Sequence, residues 1–352
     1  MKVSVLGAGA IGSMFGGLLQ QHSSDLEVLL VTRGKHGETI SQRGAIDLTG
    51  PWGKQSVAIQ NTQDIAAIAD SDYVFLTVKS QGTEAAIRAA QPYLGDATIV
   101  SIQNGINDHF LLEYVDPDRL VMGMTATNVA LLTPGEVSLQ LDGLTVLGPA
   151  ASCSMGQHVT GATNLLKRIR TAGLKFLAHP NALGMRYNKL TINALGYASC
   201  LSASNFITEC LCHTTWRQEV GRPIVEECLR VYEAAQIKLE LVPGRSNLVK
   251  LQRLMRMLER PVLRGAISFW ARQIYNRRPI VFSLYQDLLH GKMTEVEHIN
   301  GEVVRLARTA GTAAPINQEI GRMVHELESR PDNTFFDRQE VINRLQAQQK
   351  VA

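Results

Sequence analysis

Lys2-Val3-Ser4-Val5-Leu6-Gly7-Ala8-Gly9-Ala10-Ile11-Gly12 opens the chain, and its reading decides the fold. Lys2 to Leu6 has the apolar character of a buried parallel strand, and Met14, Phe15, Leu18 and Leu19 after the glycines keep helical spacing. Strand, glycine turn and helix in that order begin a dinucleotide-binding unit. Gly7 makes the tight turn, Gly9 lets a pyrophosphate approach the backbone, and Gly12 lets the helix pack on the strand. Ala8, Ala10 and Ile11 complete the loop, where the helix N-terminus offers free N–H groups and a positive dipole end to phosphates. A glycine-rich turn without a ligand has the same local pattern. A second apolar strand at Glu27 to Val31 favours the nucleotide reading.

That second strand ends in Thr32-Arg33-Gly34-Lys35, where an acidic residue would bind the ribose hydroxyls of NAD. Arg33 instead offers a planar charged fork to a 2′-phosphate, with Lys35 in support, and this selects NADPH. A solvated basic loop is the alternative. Tyr73 to Val78 and Ala97 to Ile102 are further apolar strands, ending in Lys79-Ser80-Gln81 and Gln103-Asn104-Gly105-Ile106. Ligands in open α/β sheets bind at such carboxyl ends, so Lys79 and Asn104 are candidates to line the cleft. Asn-Gly is also a routine turn dipeptide. Short strands are expected at Ala45 to Leu48 and Ser56 to Ile59, and Leu120 to Leu147 reads as an antiparallel extension of the sheet. A helix over Gly161 to Ala172 and a strand at Leu174 to Leu177 precede the break His179-Pro180-Asn181, which places a domain boundary at 180/181.

Beyond it the apolar period is close to 3.6, predicting helices at Ala182 to Ser199, Trp216 to Gln236, Asn247 to Leu258, Val262 to Tyr275, Val281 to Leu289, Thr294 to Ala310 and Asn317 to Ser329. On the first of these, Lys189 and Asn193 lie one turn apart on one face, with Tyr197 a turn further and drifting round. This aims a cation and an amide together, although a solvated helix surface has the same spacing. Residues 245 to 278 are rich in arginine. They read as amphipathic helices with a charged outer face, or as an added wall over a substrate or a subunit contact that leaves room for a homodimer. Glu295 falls in a helical first turn, where capping is an alternative to binding. The end, Arg330 to Ala352, is polar and expected to be a loosely packed helix.

With 352 residues the chain can bury a large core and divide into two domains. A formal charge of +3 gives no reason to expect nucleic acid or an anionic membrane as a partner. Met1-Lys2 runs straight into the first strand, leaving no room for a leader, and no apolar run is long enough to span a bilayer, so the expected address is cytoplasmic. Cys153, Cys200, Cys210, Cys212 and Cys228 show no paired metal-ligand spacing and are read as reduced, mostly buried thiols, with no metal site.

Gly7-Ala8-Gly9-Ala10-Ile11-Gly12, Val78-Lys79, Gln103-Asn104-Gly105, Lys189-Leu190-Thr191-Ile192-Asn193, Ser283-Leu284-Tyr285-Gln286-Asp287 and Thr294-Glu295-Val296-Glu297-His298-Ile299-Asn300-Gly301 occur in an order that resembles the ketopantoate reductase family of NADPH-dependent 2-dehydropantoate 2-reductases. The resemblance runs over about Met1 to Ser329. It implies an α/β, Rossmann-type dinucleotide-binding domain followed by an all-helical domain of the 6-phosphogluconate dehydrogenase type, with the active site in the cleft between them. Lys189 would then be the general acid, Asn104, Asn193, Ser283 and Glu295 would hold a small 2-keto acid, and Arg33 and Lys79 would serve NADPH. The chemistry agrees, because reduction builds negative charge on a keto oxygen that must receive a proton. A lysine with a free pKa of about 10.4 carries both charge and proton at neutral pH. The family usually has a second asparagine where this chain has Tyr197, so the pocket is expected to prefer a different 2-keto acid. The arginine-rich 245 to 278 stretch also exceeds the family core. A non-catalytic NADP(H) sensor would have no use for Lys189 and Glu295.

Overall fold

Lys2–Leu6 forms β1, and the glycine turn leads into α1 (Ala10–His22), as the pattern of apolar residues predicts. The structure is a computed structural model describing residues 1–150, 154–243, 248–259, 265, 267–269, 283–332 and 334–349. The chain divides into two units, Met1–Arg186 and Tyr187–Ala352.

After α1 the first unit contains β2 (Glu27–Val31), α2 (Gly34–Arg43), β3 (Ala45–Gly50), β4 (Gly53–Ala58), β5 (Gln60–Thr62), β6 (Tyr73–Leu76), α3 (Thr83–Ala90), β7 (Thr98–Ser101), α4 (Asp108–Leu111), β8 (Leu120–Thr125), β9 (Asn128–Thr133), β10 (Glu136–Leu141), β11 (Leu144–Pro149), α5 (Gln157–Lys167) and β12 (Lys175–Ala178). Eight strands make one sheet in the order β12-β11-β8-β7-β6-β1-β2-β5. From β8 to β5 neighbouring strands run parallel, while β11 is antiparallel to β8 and carries β12 parallel to itself. Chain order proceeds outward from β1 in both directions, so the switch point lies between β1 and β6. A doubly wound sheet binds ligands at such a point, outside the carboxyl ends of its strands.

The expected antiparallel extension over Leu120 to Leu147 is only partly right. β8 and β11 belong to the large sheet, but β9 and β10 join β3 and β4 in a second sheet of order β4-β3-β10-β9. The physical reason lies in α1, whose residues Gly12 to Leu19 are all buried. A helix apolar all round must be covered on both faces. An added Cβ at Gly16 would come within 2.7 Å of Leu30 Cδ2 in the large sheet, and one at Gly17 within 3.0 Å of Leu48 Cδ1 in the small sheet. Ile46, Leu48 and Val137 of the small sheet are completely buried.

The second unit has no strand among its described residues. Its helices are α6 (Ala182–Cys200, which begins in the first unit), α7 (Phe206–Cys212), α8 (Thr214–Trp216), α9 (Arg222–Ala234), α10 (Leu248–Met257), α11 (Ser283–Leu289), α12 (Val296–Thr309), α13 (Pro315–Glu328) and α14 (Arg338–Gln349). A π-helical turn, Arg217–Gly221, joins α8 to α9. The Glu227 carboxylate on α9 accepts hydrogen bonds from the backbone amides of Ile316 (3.0 Å) and Asn317 (2.8 Å), and so caps α13. Asn317 Nδ2 donates to the same carboxylate, while its Oδ1 accepts from Asn300 Nδ2 on α12. On α10, Arg253 and Arg256 are exposed while Met255 and Leu258 beside them are buried, the amphipathic arrangement. Most of 245 to 278, including most of the helix expected at Val262 to Tyr275, lies outside the described residues.

The polar C-terminus is not loosely packed. Val341, Ile342 and Leu345 of α14 are buried, Arg338 pairs with Glu209 at 2.7 Å, and Arg344 bridges Glu319 and Glu326. A few well-placed apolar side chains dock it despite a largely polar sequence.

Gly7 has φ +77, and an added Cβ would lie 2.8 Å from the Val78 amide nitrogen. Gly7→Ala is therefore expected to lower unfolding stability by about 2 to 4 kcal/mol through combined strain and overlap. Chemical denaturation followed by circular dichroism measures this.

Candidate active site

The glycine turn is held by backbone hydrogen bonds to the end of β2 and within itself. Val31 O accepts from the amides of Gly7 (3.0 Å) and Ala8 (3.2 Å), and Gly7 O accepts from Gly9 N (2.7 Å). Ser13 N makes the first α1 bond, to Gly9 O at 2.9 Å. The amides of Ala10, Ile11 and Gly12 precede that bond, and Gly9 at the N-cap gives them no side-chain partner. Such first-turn amides are what a phosphate takes. Gly9 itself is exposed, and an added Cβ there would find no other heavy atom nearer than Gly7 O at 3.9 Å. Its missing side chain thus leaves open space above the turn, the fit that a pyrophosphate requires.

Arg33 and Lys35 are exposed at the end of β2, with Arg33 at the N-cap of α2. Thr32 is buried and donates to Asn61 Oδ1 at 2.7 Å. At the end of β6, Lys79 is exposed. At the end of β7, Asn104 is half-buried in a turn whose Gly105 has φ +74. The Asn104 carbonyl accepts from Ser80 Oγ (2.6 Å) and Asn107 Nδ2 (3.2 Å). The turn reading therefore holds for its backbone and leaves the role of its side chain a separate question. Because these strands are parallel, Gly9, Arg33, Lys79 and Asn104 all lie at the same sheet edge.

Two residues that sequence reading passed over hold the Asn104 turn. Arg186 Nη2 pairs with Asp108 at 2.6 Å, both side chains buried, and also reaches Gly105 O at 3.4 Å, while Nη1 donates to Asp108 Oδ2 at 2.8 Å. No local pattern signals a pair that distant in sequence.

On α6, every residue from Gly184 to Cys200 is buried except Lys189, Ile192 and Asn193. The opposite face is fixed by polar bonds: Tyr187 OH donates to Glu302 Oε1 on α12, and Thr191 Oγ1 shares a hydrogen bond with Tyr232 OH on α9, each at 2.9 Å. The half-open face thus carries the lysine and the amide. Tyr197, a turn beyond Asn193, is 3% exposed. Burial, and then the neighbouring Glu295 and Asp287 carboxylates, hold its phenol well above the ordinary range, so it stays protonated. Glu295 is buried at the N-cap position of α12 and makes no side-chain cap bond. Thr294 Oγ1 accepts from Val296 N instead, at 3.3 Å. The second unit therefore brings Tyr197, Asp287 and Glu295 together. Ser283 begins α11, but its side chain lies outside the described residues. Cys200 and Cys228 are pushed up to about 12 by burial, which keeps these thiols unreactive at neutral pH.

A switch-point glycine turn on a doubly wound sheet, followed by a helical unit, defines a dinucleotide-binding fold of the oxidoreductase type. The sequence pattern of ketopantoate reductase PanE/ApbA matches residues 3–152, and that of its C-terminal domain matches residues 181–328. The chain belongs to the ketopantoate reductase family. It is 29% identical over 336 residues to a 2-dehydropantoate 2-reductase of Pyrococcus horikoshii, covering 94% of this chain and 98% of the relative. The crystal structure of a PanE/ApbA family ketopantoate reductase from Ralstonia eutropha superposes with a TM-score of 0.74 at 25% identity, covering 93% of this chain and 98% of that one. A D-mandelate dehydrogenase in ternary complex with NADH and anilino(oxo)acetate has the same fold, with a TM-score of 0.74 at 23% identity and the same coverage. Among the described residues no helix is long and apolar enough to cross a membrane.

Because Thr294 rather than Glu295 serves the start of α12, Thr294→Ala is expected to lower stability by about 1 kcal/mol. Glu295→Gln should change it by less. Paired urea titrations of the two variants check the assignment.

Proposed function

We propose that this chain is a 2-dehydropantoate 2-reductase that uses NADPH, with Lys189 as general acid. The observation that carries the reading is the α6 face, where a lysine and an asparagine one turn apart stay partly open, with Ile192 beside them, on a helix mostly buried. NADPH, when bound, supplies the hydride. The amides of Ala10 and Ile11 receive its pyrophosphate, Arg33 with Lys35 its 2′-phosphate, and Lys79 supports it from the end of β6. The Lys189 ammonium balances the negative charge that develops on the keto oxygen and gives that oxygen its proton. Asn104, Asn193 and Ser283 donate to the substrate carboxylate and carbonyl. Glu295 accepts from the substrate hydroxyl, fixing which face of the carbonyl is presented.

The NADH held by the D-mandelate dehydrogenase shows that a protein of this fold can accept the unphosphorylated cofactor. The preference for NADPH here rests on Arg33 and on the lack of an acidic residue in Thr32-Arg33-Gly34-Lys35.

A second reading is reduction of another, bulkier 2-keto acid. It is favoured by Tyr197, a large buried phenol beside Glu295 where the family usually places an asparagine.

Steady-state NADPH oxidation over a panel of 2-keto acids separates the readings. Fastest turnover of 2-dehydropantoate supports the first, and faster turnover of an aryl or larger branched keto acid supports the second. Lys189→Ala is expected to reduce kcat by about 10²- to 10⁴-fold with NADPH binding retained. No loss of kcat would remove Lys189 from its role. Arg33→Ala is expected to weaken NADPH by about tenfold or more while leaving NADH nearly unchanged, a difference worth about 1.4 kcal/mol. Fluorescence titration with each dinucleotide measures it, and equal losses would overturn the NADPH assignment.

A further inference from the structure

Behind the glycine turn, His36 is nearly buried at 9% exposure and takes part in a chain of hydrogen bonds whose direction is fixed throughout. The Gly135 amide, in the turn between β9 and β10, can only donate, and it donates to His36 Nδ1 at 2.9 Å. Nδ1 therefore carries no proton. At the other end, the Ser13 hydroxyl donates to Ala8 O at 2.8 Å. Ser13 Oγ must then be the acceptor in its 2.9 Å contact with His36 Nε2, which places the ring proton on Nε2. The ring is a neutral imidazole of a single tautomer. Burial lowers its pKa, which keeps it neutral.

These bonds connect Gly135, His36, Ser13 and Ala8. Ala8 lies inside the glycine turn. Ser13 lies just past the first-turn amides of α1, and its own amide bonds Gly9 O. His36 lies in the first turn of α2, whose N-cap is Arg33. Beside the backbone bonds from the Gly7 and Ala8 amides to Val31 O, Ser13 Oγ and His36 form a side-chain tie between the element offering amides to a pyrophosphate and the element offering a guanidinium to a 2′-phosphate. NADPH engages both elements, whereas NADH engages strongly only the first. The distance between the two anchors matters more for the phosphorylated dinucleotide.

From this geometry we infer that His36 is a positioning residue for cofactor choice, which spaces Arg33 against the Gly7–Gly12 turn through Ser13 and so sets the preference for NADPH over NADH. The inference rests on the proposed placement of NADPH at these two elements. It adds a residue that touches neither phosphate and whose effect is on the ratio of the two affinities.

The test is fluorescence titration of the whole protein with NADPH and with NADH, alongside thermal melts, for wild type, His36→Phe, His36→Gln, Ser13→Ala and the double variant His36→Phe/Ser13→Ala. Breaking the tie is expected to weaken NADPH by about tenfold, and NADH by about threefold or less. Gln keeps one acceptor and one donor, so His36→Gln should recover most of the NADPH affinity. Ser13→Ala, the smallest change, should reproduce the loss, and the double variant should lose no more than either single change because all act on one chain of bonds. Equal weakening of both dinucleotides, no recovery with His36→Gln, or additive losses in the double variant would overturn the positioning role while leaving the cofactor site intact. Wild-type protein that binds neither dinucleotide would overturn the cofactor reading and this inference together.

Discussion

The first unit depends on how closely α1 approaches its neighbours. On one side, added Cβ atoms at Gly12 and Gly16 would meet Val5 and Leu30 of the large sheet at 2.8 and 2.7 Å; on the other, one at Gly17 would meet Leu48 of the small sheet at 3.0 Å. Interiors are packed too densely to absorb such groups without displacement. The depth of α1 fixes where its N-terminus emerges, and so where the amides of Ala10, Ile11 and Gly12 point. The phosphate-binding geometry is in this sense a product of helix packing. Gly9 is the exception: its missing side chain serves space outside the fold rather than within it.

The second unit solves a related problem with polar groups. α6 keeps Lys189 and Asn193 partly open while most of the helix is covered, and it is anchored through Tyr187 to Glu302 and through Thr191 to Tyr232. Glu227 then ties α9 to α13 by accepting three hydrogen bonds at a helix N-terminus, where a carboxylate is electrostatically welcome. Burial raises its pKa and the three donors pull it down. Such bonds are directional, so they fix the rotation of each helix more tightly than apolar contact alone.

How much of this was readable in advance follows from the range of the interactions. The glycine turn, the strand ends at Arg33, Lys79 and Asn104, and the Lys189-Asn193 spacing are local patterns, and all lie on the elements expected for them. The second sheet was missed because β10 pairs with β3, from a distant part of the chain, and short alternating strands do not announce their partners. The same blindness covers His36 with Ser13, Arg186 with Asp108, and Glu227 with Asn317. For Glu295, composition suited a helix cap as well as a binding carboxylate, and the Thr294 hydroxyl rather than Glu295 accepts from the first-turn amide. The C-terminal helix was misjudged because its charged residues, which looked like solvent-facing surface, include Arg338 and Arg344, both engaged in docking.

The parallel pairing of β3 with β10, Asp47 opposite Glu136, also bears on how the chain comes to its shape. During synthesis α1 and β3 emerge early, but the strand that completes their cover lies some ninety residues further along, on the order of a long loop closure. Until β10 arrives, the Leu48 side of α1 is an apolar surface awaiting its partner. Non-local pairing of this kind slows folding and leaves a window for self-association. The arrangement that presents the first-turn amides so accurately in the finished unit thus leaves its growing chain open to aggregation for longer than a sequentially wound sheet would.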